Sequence, residues 1–124
     1  MAATERRARY RSVTPRLVVD DVAAQVKFLR EVFDGSGDVE PGRPVEVRIG
    51  DSVILISTTD ERERFPAFLY IYVHDADEVF ERAVEAGATV IEEPLDTPYG
   101  DRRAMVQDQF GNIFQIAHPS AVSG

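Results

Sequence analysis

Aromatic side chains recur at every second position in one stretch of the chain, at Phe68, Tyr70 and Tyr72. Residues two apart on a β-strand point to the same face, so these three would form a stripe. The stripe has two readings. It is a stacking platform for a planar or apolar ligand, with the tyrosine hydroxyls fixing orientation, or it is a packing surface toward another module or subunit. Arg16, flanked by apolar residues, would suit a ligand carboxylate or phosphate; a salt bridge to Glu46 is its alternative. Tyr99-Gly100-Asp101-Arg102 reads as a lid with Arg102 on a ligand, or as a structural Asp–Arg turn. Arg103, Met105 and Gln107 alternate along one further strand, and Ile113, Gln115 and Ala117 along another. Gln115 either hydrogen-bonds a ligand or pairs with Gln107. The candidate ligand-binding set is thus Arg16, Phe68, Tyr70, Tyr72, Tyr99, Arg102, Arg103, Met105, Gln107 and Gln115.

Other chemistries find less support. Glu46 and Arg48 would serve as an acid and an electrophile, or simply as a solvated sheet face. No nucleophile–base pair is visible. The absence of cysteine removes disulfides, thiolate zinc sites and a Cys nucleophile. His74, beside Asp75 and Asp77, and His118 near the C-terminus do not form a ligand cluster. A net charge of −8 repels nucleic-acid phosphates and attracts cations. Cation–π contact with Tyr70 or Tyr72 would add to that attraction. Arg6, Arg7, Arg9 and Arg11 read as a solvated basic tail, since no apolar stretch follows to make a secretory signal. The apolar runs, such as Phe65 to Val73, are too short to span a membrane, so a cytoplasmic protein is expected. Glu92-Glu93 and the charges of Asp60 to Arg64 read as surface.

The positioning elements form two similar halves. Leu17-Val18-Val19-Asp20-Asp21 and Ile71-Tyr72-Val73-His74-Asp75 each run as a strand into an acidic helix start, where the carboxylate caps free N–H groups. A helix over Val22 to Phe33 presents Val22, Val26, Leu29 and Phe33, with Phe28 beside them, and Gly35 and Gly37 stop it. A second helix over Ala76 to Ala86 presents Val79, Phe80, Ala83 and Val84 and ends at Gly87. Strands follow over 44–49 and 52–57 around a Gly50-Asp51 turn. In the second half they cover 89–92, 103–107 and 113–117, with a turn over 108–112. The fold expected is α+β: two β-α-β-β-β modules, 13–59 and 65–118, forming one curved mixed sheet around a cavity. Tails of 1–12 and 119–124 flank a single domain.

Several of these segments also carry a resemblance. Pro15 to Asp21, Phe28 to Phe33, Ile49 to Ser52, Leu69 to Asp75, Glu81 to Ala88, Tyr99 to Arg103 and Asp108-Gln109-Phe110-Gly111-Asn112 together resemble the glyoxalase/bleomycin-resistance/dioxygenase superfamily, the vicinal oxygen chelate proteins. The likeness covers about residues 13 to 118 and is nearest to the PhnB-like, glyoxalase-like branch. The family often has proline where Gln109 stands. The resemblance implies paired modules around a cavity, often as a homodimer. It also implies that metal-dependent relatives would hold their ion at the positions of Thr14, Leu55, Phe68 and Gln115. Leucine and phenylalanine have no lone pair, so no metal and no other cofactor is expected. The function expected is metal-free capture of an aromatic or amphipathic, antibiotic-like compound. A metal-independent lyase or isomerase using Glu46 or a tyrosine is the alternative, ahead of a metal-dependent glyoxalase or dioxygenase. Partners beyond the ligand and a second copy, whether nucleic acid or membrane, are not expected.

Overall fold

The computed structural model describes residues 12–39, 44–60 and 63–120. The elements in order are β1 (Arg16–Val19), α1 (Val22–Phe33), β2 (Val45–Ile49), β3 (Ser52–Thr58), β4 (Phe68–Tyr72), α2 (Ala76–Glu85), β5 (Thr89–Asp96), β6 (Asp101–Gln107) and β7 (Ile113–Pro119). The chain divides into two compact units between Phe65 and Pro66, with residues 31–33 belonging to the second. Among the described residues no helix is long and apolar enough to cross a membrane. The expected basic tail, Arg6 to Arg11 included, lies outside the described residues.

In the first unit β1, β3 and β2 form a three-stranded sheet in that order, β1 parallel and β2 antiparallel to β3. Leu17, Val19, Val45, Val47, Ile54 and Ile56 are buried, the alternate set that strand periodicity selects. Asp21 caps α1 by accepting from the Ala24 N–H at 3.0 Å. The helix ends at Asp34, which takes the left-handed conformation at φ 55°, and the Gly35 N–H closes onto the Leu29 carbonyl. Gly37 lies against the Glu46 carbonyl, where a Cβ would collide.

In the second unit β4, β7, β6 and β5 form a four-stranded sheet in that order, with β4 parallel to β7. The helix α2 packs across β5, β6 and β7. Asp75 caps it through the Glu78 N–H at 3.2 Å, and His118 Nδ1 accepts from the Ala76 N–H at 2.7 Å. Gly87 ends it at φ 97°. Leu69, Ile71, Phe114, Ile116, Ala104 and Val106 share the helix side of this sheet by register. Phe114 is fully buried and meets Phe33 at 5.4 Å between ring centroids. The Asp108 carboxylate organises the β6–β7 turn, accepting from the Phe110 and Asn112 N–H groups at 2.9 Å each.

The α+β class of two modules stands, with two differences in detail. Among the described residues each module carries its own sheet, of three strands in the first and four in the second, in place of one curved sheet. Among the described residues the first module has two strands after its helix rather than three, and a Ser36–Arg48 bridge pairs with the outer side of β2. Val84, expected on the inner face of α2, is exposed, while Ala76, Val79 and Ala83 are buried. The strand expected over 89–92 continues to Asp96 through two register shifts.

Candidate functional site

The side of the second sheet opposite α2 carries the candidate site. Register places Phe68, Ile113, Gln107 and Thr89 in one row, Tyr70, Gln115, Met105 and Glu92 in the next, and Tyr72, Ala117, Arg103 and Leu95 in a third. The stripe is open to solvent, with Phe68 65% and Tyr72 61% exposed. The Tyr70 and Tyr72 rings tilt against each other at 5.3 Å.

A polar cluster closes one end of the face. Asp101 opens β6 and shares the parity of Arg103, so its carboxylate emerges on the same side. It is 7% exposed, and its Oδ2 accepts from the Tyr70 hydroxyl at 2.7 Å and from the Tyr72 hydroxyl at 2.9 Å. Neighbouring strands lie about 4.8 Å apart, so both tyrosines must reach across β7 to arrive at β6. Ala117, the β7 residue between Tyr72 and Arg103, is small and fully buried, which leaves that path clear. Tyr99 joins at 3.2 Å from the Tyr70 hydroxyl and accepts from Arg103 Nη1 at 2.9 Å. Arg103 in turn donates to one Glu92 oxygen from Nε at 3.0 Å and Nη2 at 2.8 Å.

These contacts decide protonation. Burial, then the hydrogen bonds with Tyr99 and Asp101, push the Tyr70 hydroxyl well above the ordinary tyrosine range. The hydrogen bond to Asp101, with burial and the carboxylate charge behind it, raises Tyr72 too. Both are neutral at physiological pH and poorly suited to act as a general base. Burial pulls the Arg103 guanidinium down, and the hydrogen bonds it donates to Glu92 and Tyr99 more than offset it. The face can therefore stack a ring and accept or orient hydrogen bonds.

Of the sequence-derived candidates, Phe68, Tyr70, Tyr72, Arg103, Met105, Gln107 and Gln115 share this side of the sheet, and Tyr99 reaches the cluster from its turn. Gln107 donates to the Gly111 carbonyl at 3.3 Å rather than pairing with Gln115. Arg102 is a correction. Alternation along β6 sends it to the helix side, where Asp77 holds Nε at 3.1 Å and Asp96 holds Nη1 at 3.4 Å. Arg16 belongs to the first unit, exposed on β1, with Leu55 between it and Glu46 in the strand register. The Asp–Arg turn gives way as well: Asp101 serves two tyrosines, and Arg102 other carboxylates. Glu92 is half-buried against Arg103, not a surface charge. Because β6 begins at Asp101 rather than at Arg103, alternation alone puts Asp101 on the Arg103 side.

The metal positions of the family can be tested on their donors. Leu55 offers none in the first unit, and in the second Phe68 stands beside Ile113, and Gln115 beside Tyr70 and Met105. These residues do not fit a divalent ion. Among the described residues no group of three or more His, Asp or Glu is placed to hold one.

Residues 11–116 match the model of the Glyoxalase/Bleomycin resistance protein/Dioxygenase superfamily. The chain belongs to this superfamily. It is 30% identical over 129 residues to Mb0911c, an uncharacterized protein of Mycobacterium bovis, covering 87% of this chain and 83% of that protein. It is 46% identical over 122 residues to the anthracycline biosynthesis protein DauV of Streptomyces sp. strain C5, covering 87% of this chain and 43% of DauV. Among solved structures, TioX from Micromonospora sp. ML1 matches with a TM-score of 0.76 at 23% identity, covering 86% of this chain and 97% of TioX. That likeness is one of fold alone.

Proposed function

We propose that this chain is a small-molecule binding protein whose second sheet captures a planar aromatic or amphipathic compound without a metal. The exposed stripe of Phe68, Tyr70 and Tyr72 carries the reading. Large apolar rings left in water beside an organised polar cluster mark a binding surface. The likeness to a protein named for anthracycline biosynthesis favours a polycyclic aromatic ligand, since anthracyclines are fused planar ring systems. The net charge of −8 favours one that carries positive charge. A cytoplasmic homodimer belongs to the same proposal. Tyrosines held protonated weigh against a lyase or isomerase that uses them as bases.

The test is intrinsic fluorescence. The chain has no Trp and four Tyr, three of which, Tyr70, Tyr72 and Tyr99, belong to this cluster. Titration with an anthracycline should quench emission saturably and raise the melting temperature with ligand concentration. No saturable change up to about millimolar ligand would remove the proposal. Mass spectrometry of the recovered compound, expected unchanged, separates capture from turnover.

A further inference from the structure

The direction of the hydroxyl chain sets what the ligand must bring. A tyrosine hydroxyl has one proton and two lone pairs, a carboxylate accepts, and a guanidinium only donates. Asp101 Oδ2 takes the protons of both Tyr70 and Tyr72. Tyr70 then has no proton left for Tyr99, so at 3.2 Å Tyr99 is the donor. The Tyr99 oxygen accepts from Arg103 Nη1. Hydrogen bonds therefore run one way, from Arg103 through Tyr99 and Tyr70 to Asp101, with Tyr72 joining at the same carboxylate oxygen. Every hydroxyl proton points into the cluster. The Tyr70 hydroxyl also lies against the Tyr72 oxygen, and the Tyr70 and Tyr72 oxygens each keep one lone pair for a ligand donor. Charge agrees with this polarity. Glu92 neutralises Arg103, while Asp101, almost fully buried, has no ion-pair partner among the described residues.

We propose that Asp101 is the positioning residue that makes this face select donor-bearing cationic ligands, namely planar aromatics whose ammonium group sits against the Tyr70 and Tyr72 hydroxyl oxygens. This rests on the capture reading above and adds to it the chemical class of the ligand. Asp101 acts through the tyrosines, holding their protons inward and placing a buried negative charge behind the oxygens that face the ligand.

The experiment compares aminomethylanthracene with its N-acetyl derivative, which keeps the rings and loses the charge. The native protein should bind the amine about tenfold more tightly, the size of a charge-assisted hydrogen bond. Asp101→Asn should reduce that ratio to about twofold or less. Tyr72→Phe, which keeps the ring and removes an acceptor, should also lower the ratio. An equal affinity of the native protein for both probes overturns the inference and leaves the capture reading standing. So does a ratio that Asp101→Asn does not alter. A ligand-free readout separates the two ideas further. In alkaline spectrophotometric titration, Asp101→Asn should bring two tyrosines to ionise at lower pH than in the native protein, and an unchanged titration overturns the role given to Asp101. If neither probe binds, the capture reading falls, and the inferred ligand class with it.

Discussion

One Glu92 oxygen takes two hydrogen bonds from Arg103, from Nε at 3.0 Å and from Nη2 at 2.8 Å. The pair cancels the arginine charge on a face otherwise backed by Asp101, and it turns Nη1 toward the Tyr99 hydroxyl. Glu92→Gln should leave Arg103 charged and weakly held. A cationic aromatic ligand should then bind several-fold more weakly, and an anionic one more tightly. The stability lost should be about 1 kcal/mol, as expected for a half-buried ion pair. Ligand titration and urea denaturation measure the two effects separately.

Phe68 is mostly exposed, so Phe68→Ala should change stability by no more than about 0.5 kcal/mol. It removes a stacking ring, and affinity for a polycyclic aromatic should fall by about tenfold. Unaltered binding in this variant would place the ligand somewhere other than the β4 stripe.

Ala117 sits between Tyr72 and Arg103, where the tyrosines cross β7. Ala117→Leu should force the rings aside and separate their hydroxyls from Asp101. Overpacking of a buried position costs about 1–3 kcal/mol. The specific sign is a shift of tyrosine ionisation toward lower pH, seen in the absorbance near the tyrosinate band, which a purely steric loss of stability would not produce.

The raised tyrosines give an alkaline signature. A group whose folded-state pKa lies above its unfolded value binds more protons in the folded state once pH exceeds the unfolded value, near 10 for tyrosine. Its contribution is therefore whole below about pH 10 and declines as pH climbs toward the folded pKa. Denaturation midpoints should fall above that point, and less steeply in Tyr70→Phe, which has no such proton to lose.

Asp108 accepts from Phe110 N–H, Asn112 N–H and Asn112 Nδ2 inside a buried turn. Asp108→Ala should cost about 2 kcal/mol by leaving those donors without partners. Chemical denaturation gives the loss, and an unshifted midpoint would mean water replaces the carboxylate.

Periodic features were legible in the chain itself. The 3.6-residue repeat in Val26, Leu29 and Phe33 and the acidic starts at Asp21 and Asp75 give the two helices, and alternation puts Phe68, Tyr70 and Tyr72 on one side of a strand. These depend on neighbours a few residues apart, so local stereochemistry suffices to read them. The same alternation excludes Arg102 from the side that holds Arg103. Glu92 was beyond such reading. Counted from Thr89, an unbroken strand would place Ile91 on the tyrosine side, but the register shift between Val90 and Glu92 inverts the parity and brings the carboxylate to Arg103. Asp101 needed the sheet order β4-β7-β6, which sets its carboxylate within reach of tyrosines some thirty residues earlier, across a strand narrowed by an alanine. Residue types and spacing thus determined which side chains were available for stacking. Long-range pairing and one bulge decided which charges meet them, because strand order and the parity of a bulged strand depend on contacts between distant parts of the chain.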